Sequence, residues 1–221
     1  MINKILSVIF LGHVIFSCAA IPKKNWGDTK DVFPVQAIRP KVSLVIKTTH
    51  TGDYGDQVSN QSESYINHAK NKETLIDNWE LKYLVEGIVG QFQGSQLFEK
   101  VEISSGFEFS RTEYTIEINQ TTFHRQSLKR KIWFYTTMAT LGIIPYWESR
   151  NLHYYIRIIR DGKSIKSYEL DFPYTVITSL FIIPITPIYT PNYQIENMRK
   201  DLFNQLFQKM LNDRLFDSAT K

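Results

Sequence analysis

The chain of 221 residues holds a single cysteine, Cys18, directly behind an apolar run near its start. One sulfur cannot form an intramolecular disulfide, so whatever folds after it must be held together by a hydrophobic core. The composition supplies such a core, with 43% hydrophobic and 14% aromatic residues. The roughly 200 residues that follow Cys18 fit one domain of ordinary size.

The residues before Cys18 have a different character. Met1 to Lys4 is a short basic start, Ile5 to Phe16 is almost wholly apolar, and Ser17 is a small residue before the thiol. This is the layout of an export signal, and the run is much shorter than the 20 or so apolar residues of a spanning helix. The segment Val14-Ile15-Phe16-Ser17-Cys18 resembles the lipobox of bacterial lipoproteins through Ile15 and Ser17, while Phe16 departs from its usual small or polar occupant. The resemblance implies cleavage between Ser17 and Cys18, a thioether diacylglycerol on Cys18 and acylation of the new amino terminus. Ala19 is not the aspartate that marks inner-membrane retention, so the implied address is the outer membrane of a bacterial envelope. Loss of residues 1–17 removes only Lys4 and lowers the formal net charge of +4 by one. A charge so small and dispersed excludes nucleic acid as the expected partner.

Along the rest of the chain, residues 18–40 read as a lipidated extended tether, because Pro22, Pro34 and Pro40 interrupt a stretch without apolar periodicity. A single domain is expected over 41–217. Val42 to Lys47 predicts a strand, and His50 to Ser64, rich in Gly, Asp, Asn and Ser, predicts a loop. From Glu73 the stripe Ile76, Trp79, Tyr83, Leu84, Ile88 and Phe92 predicts a helix stopped at Gly94. Phe98 to Ile103 and Tyr114 to Asn119 predict two more strands, the latter with Tyr114, Ile116 and Ile118 facing inward. Asp161-Gly162, flanked by 152–160 and 163–172, is the strongest hairpin signal. A last helix is expected from Asn192 to Phe216 on the stripe Ile195, Met198, Leu202, Leu206, Met210 and Leu211. This order predicts an α+β fold of two layers, one mostly antiparallel sheet covered by two long amphipathic helices. The order of elements from Lys41 to Asn119 resembles, in pattern, the small α/β domain of envelope-assembly lipoproteins.

Two apolar stretches, 132–147 and 175–189, share Leu, two Ile and Pro in register, as Leu141 to Pro145 and Leu180 to Pro184. They are read as buried core, with contact to membrane or partner as the alternative. For that alternative the contact residues are Lys129, Arg130, Lys131, Trp133, Tyr146, Trp147, Phe181 and Tyr189, aromatic anchors beside a basic triplet.

Local catalytic motifs are missing from the sequence. His50, His68, His124 and His153 have no helical zinc spacing, and neither a phosphate loop nor a nucleophile turn is present. Glu113 and Glu117 would lie about 13 Å apart on a strand, too far for a glycosidase pair, and read as its wet face. The expectation is a non-enzymatic binding or assembly module with no cofactor and no metal, whose partners are the bilayer and an envelope protein or a second copy. The alternatives are an oligomeric secretion or pore component inserting 132–147 and 175–189, and a periplasmic hydrolase with a dispersed active site.

Overall fold

The computed structural model describes residues 18–22, 39–52, 55–71, 79–106, 112–123, 128–140, 143–179 and 191–216. Among them the fold is α+β, with seven strands in a mostly antiparallel open sheet and four helices. The elements are β1 (Cys18–Pro22), β2 (Lys41–Gly52), β3 (Gly55–Asn60), α1 (Gln61–Asn71), α2 (Trp79–Gly94) and β4 (Lys100–Ile103). They continue with β5 (Tyr114–Phe123), α3 (Leu128–Ala139), β6 (Tyr146–Arg160), β7 (Lys163–Thr178) and α4 (Pro191–Asn212). Contacts divide the chain into two compact units. Unit 1 is Met1–Asn25, His124–Asn151 and Phe172–Met198, and unit 2 is Trp26–Phe123, Leu152–Asp171 and Arg199–Lys221.

Unit 2 is organised by strand alternation. Its strand order is β7-β6-β5-β2-β3, with β4 also paired to β2. Leu44, Ile116 and Ile158 form one row across β2, β5 and β6, and Ile46, Ile118 and Ile156 form the next, all fully buried. Rows of β-branched and aliphatic side chains on one pleat face are what the period of two produces when one face is dry. The β6–β7 turn is Asp161-Gly162 with φ of 51° and 75°, the double left-handed turn that matches strand twist. On β7 Ile165 is 43% exposed, and burial begins at Tyr168.

Helices supply the rest of the unit 2 core. Phe92 of α2 meets Phe98, Phe203 and Phe207 at ring separations of 5.5, 5.5 and 5.0 Å, and Phe203 also meets Tyr154 at 5.7 Å. The helix stops after Gly94 as the sequence predicts, where Ser95 Oγ donates to the Phe92 carbonyl and Gln96 takes a positive φ. Its buried stripe is rotated from the expected one: Val85, Ile88 and Phe92 are buried, whereas Tyr83 is 52% exposed. The expected start at Glu73 and Ile76 lies outside the described residues. In α4 the middle of the expected stripe, Met198, Leu202, Leu206 and Met210, is buried and widened by Phe203 and Phe207, while its ends Ile195 and Leu211 are half-buried.

Two further expectations change. The segment expected to be a loop over 50–64 instead carries the end of β2, all of β3 and the start of α1. β3 has no apolar alternation for a period to reveal, and backbone pairing from Lys47↔Asn60 to Gly52↔Gly55 makes it a strand. Asn60 then caps α1, its Oδ1 accepting from the Glu63 N–H at 3.2 Å, and Ser62 Oγ accepts the Ile46 N–H at 2.8 Å where neither β3 nor β4 pairs with β2. In unit 1, Cys18–Pro22, the start of the expected tether, forms β1 and pairs antiparallel with β7, Cys18 opposite Thr178 and Pro22 opposite Tyr174. Ala19 and Ala20 are fully buried, so these five residues belong to the sheet.

Candidate functional site

Unit 1 gathers most of the contact residues expected from the sequence. The helix α3 begins Leu128-Lys129-Arg130-Lys131 and has no acidic residue in its first turn. Three cations at the positive end of the helix dipole oppose helix formation, each by about 0.3–1 kcal/mol where exposed. Such a local conflict is what functional surfaces carry. At the other end Thr137 Oγ1 and Thr140 Oγ1 donate back to the Trp133 and Thr136 carbonyls, closing the last turn.

The first apolar stretch does not form buried core. Ile132, Tyr135, Ile143, Ile144 and Trp147 are 58, 69, 58, 43 and 52% exposed, with Leu128 at 74% just before them. The buried-core reading of 132–147 is therefore corrected. An apolar composition identifies side chains that need cover, and here the described fold leaves one side of α3 and the entry to β6 without it. Trp133, Tyr146 and Trp147 do come together: Trp133 lies 5.6 Å from the Tyr146 ring and 4.2 Å from the Trp147 ring, edge-on in both cases. Lys129, Arg130 and Lys131 are exposed beside them. Phe181 and Tyr189, with most of the second stretch and Ser17, lie outside the described residues. No helix among the described residues is long and apolar enough to cross a membrane.

A buried carboxylate that the sequence reading passed over organises this surface. Glu148, 8% exposed, accepts two hydrogen bonds on Oε2 from Arg150, at 3.1 Å from Nε and 3.0 Å from Nη2, and a third from the Tyr146 hydroxyl at 3.2 Å. Arg130 Nη1 stands 3.5 Å from its Oε1. Burial pushes the Tyr146 phenol up, and the Glu148 charge adds to the shift while Arg150 and Arg130 oppose it. Burial works against the Arg150 charge, but Glu148 and Tyr174 outweigh it and hold that guanidinium more firmly protonated than usual. The signal that could have found this group is parity. Tyr146, Glu148 and Arg150 continue the alternation of Leu152, Tyr154 and Ile156 backwards along β6, which places two charges on the inward side of a strand.

Against these groups lies a cavity of about 470 Å³, confined to unit 1. Lys131, Phe134 and Tyr135 of α3 face it together with Tyr146, Glu148 and Arg150 of β6. Tyr174, Val176 and Thr178 of β7 and Ile195 of α4 also line it. That volume is in the range of small-molecule sites, which run from about 300 to 1,000 Å³.

Unit 2 has a separate polar array on the other pleat face. Glu117, expected on a wet face, is only 13% exposed and is held by both Lys47 and Arg157. Thr49 Oγ1 donates to Asn119 Oδ1 at 2.9 Å, and His153 Nδ1 lies 2.9 Å from Asp171 Oδ1. Burial alone would push the Glu117 carboxyl up, but the hydrogen bonds and charges of Lys47 and Arg157 outweigh it and hold the group below its ordinary 4.5. A depressed folded pKa contributes stability above the unfolded value, and that contribution is lost as pH falls through the folded one. Glu117→Gln is therefore expected to lower the melting temperature at pH 7, with the gap to the parent protein closing below about pH 4.5. Thermal melts across pH 3 to 7, roughly the window set by carboxylate titration, check this, and a gap independent of pH would contradict it.

No protein-family model matches the chain, and no curated protein matches it. Among the described residues no group of three His, Cys, Asp or Glu side chains is arranged to hold a metal ion. His124 lies outside them, and His153 pairs with Asp171.

Proposed function

We propose that this chain is a lipoprotein of the bacterial cell envelope, held to the outer membrane by acyl groups on Cys18, and that it acts as a non-enzymatic binding or assembly module. The observation that carries the reading is the exposed apolar and aromatic surface of residues 128–147 beside three cations, in the same unit as the strand that begins at Cys18. Exposed aromatics next to Lys and Arg suit the interfacial and headgroup layers of an anionic bilayer. One acyl chain binds reversibly, at about 0.8 kcal/mol per buried methylene, and two or three make attachment lasting. Because β1 starts at Cys18, an anchor there would hold unit 1 within a residue or two of the membrane rather than at the end of a long tether. The same reading takes α2 and α4 as the cover of the apolar sheet face in unit 2, supported by the Tyr154–Phe203 and Phe92–Phe207 ring contacts.

Intact-mass analysis of protein from its own cells tests the anchor. The expected mature chain begins at Cys18 and carries a diacylglycerol and a further acyl group, and Cys18→Ser moves the protein out of the membrane fraction. A mature terminus downstream of Cys18, or an unmodified thiol, overturns the proposal.

A further inference from the structure

We propose that the cavity of unit 1 binds an amphiphile with a single anionic head, carboxylate or phosphate, and an acyl body. The inference goes beyond the anchored-lipoprotein reading and stands whether or not Cys18 is modified. Burial orders the cavity from mouth to floor. Lys131 is exposed and Tyr135 is 69% exposed, whereas Tyr146, Tyr174 and Val176 are 5, 7 and 9% exposed.

The mouth is cationic, and the buried wall sets rings and Val176 around the closed Glu148–Arg150 pair. Among the described lining residues Glu148 is the one carboxylate, and its charge is already met by the Arg150 fork and by Arg130. With that carboxylate compensated, the Lys131 ammonium is left to set the sign at the entrance, and it favours an anion. Below it Tyr146, Tyr174 and Val176 offer rings and a branched aliphatic, surfaces that gain from covering methylene groups. A free inorganic anion would meet Lys131 but leave this floor uncovered. A neutral acyl chain would cover the floor but leave the mouth unused. An anionic amphiphile matches both, and it is the chemistry of a fatty acid or an acidic phospholipid.

The full chain, reconstituted in zwitterionic nanodiscs, is exposed to three photoactivatable probes: a diazirine palmitic acid, a diazirine phosphatidic acid and a diazirine hexadecanol. Adducts are mapped by peptide mass spectrometry. Adducts from one or both anionic probes are expected on the peptides containing 131–135 and 174–178, about 10-fold above the alcohol, as a single charge-assisted contact predicts. Labelling by the acid alone identifies a fatty acid as the source, and labelling by phosphatidic acid alone a phospholipid. Lys131→Glu, at an exposed position that the core does not need, is expected to abolish the preference over the alcohol. Val176→Trp, which fills the floor, is expected to reduce all labelling there about 10-fold. Inorganic phosphate in excess should leave the labelling unchanged. Equal labelling by acids and alcohol, adducts unmoved by both variants, or displacement by inorganic phosphate overturns the proposal.

Discussion

Phe92→Ala is expected to destabilise unit 2 by about 3–5 kcal/mol, the range for truncating a fully buried aromatic. Phe92 is 0% exposed and its ring touches three others, Phe98, Phe203 and Phe207, so the deletion removes transfer free energy and also leaves a void lined by rings. Those neighbours sit on α4 and on the segment leading into β4, and both are held by further contacts. Phe98 packs edge-on against Phe216 at 5.7 Å, and Phe203 against Tyr154 at 5.7 Å. They cannot all move inward at once, and a cavity that cannot collapse sits at the costly end of the range. At about 2–4 °C per kcal/mol for a chain of this size, the melting temperature should fall by on the order of 10 °C. Phe92→Leu, which keeps most of the volume, should cost under about 1.5 kcal/mol. Denaturant unfolding followed by far-UV circular dichroism measures both. A loss below about 1 kcal/mol for the alanine variant would mean that the four rings do not act as one packed core.

That cluster also marks how far the sequence carries. Alternation in Tyr114, Ile116 and Ile118, the Asp161-Gly162 turn and the stripe Met198, Leu202, Leu206 and Met210 were legible because each expresses its own period or turn chemistry locally. β3 was not legible, since a polar strand at a sheet edge is made by the backbone of its neighbour and leaves no trace in its side chains. In α2 the period was right and the phase was off by part of a turn, because Tyr83 and Val85 are both apolar and only the packed partner decides which turns inward.

The candidate site was legible in composition and misjudged in burial. Lys129, Arg130, Lys131, Trp133, Tyr146 and Trp147 stand out in the sequence by their basic and aromatic character, and the fold brings Trp133, Tyr146 and Trp147 into ring contact. The exposure of Ile132, Tyr135, Ile143, Ile144 and Trp147 was invisible, because apolar character states a cost of hydration and not whether the fold removes it. Glu148 and Arg150 were missed for the converse reason. Charged residues are taken as wet unless paired, and a pair two residues apart on a strand is recognised only once the strand is extended back to Tyr146.

Glu148→Ala should have the largest effect in unit 1, because it takes away a carboxylate that two arginines and a buried phenol all contact. Breaking a buried ion pair by removing one partner costs about 3–5 kcal/mol. The side chains of Arg150 and Arg130 retain 35% and 44% exposure, so water recovers part of that loss and about 2–4 kcal/mol is expected. Trp133 and Trp147 make the change visible, since their ring contact lies directly against Tyr146 and should loosen with it, weakening the near-UV circular dichroism of the indoles. Glu148→Gln keeps the shape and an acceptor for the Tyr146 hydroxyl, so it separates the loss of charge from the loss of packing and should fall between parent and alanine. Replacing Glu148 and Arg150 together by Leu and Met removes the buried charge with its partner, and should be less destabilising than Glu148→Ala alone, as replacements of buried pairs by apolar residues often are. If Glu148→Ala unfolds within about 0.5 kcal/mol of the parent, as ordinary surface substitutions do, Glu148 is not what holds α3 against β6 and the cavity floor needs another account.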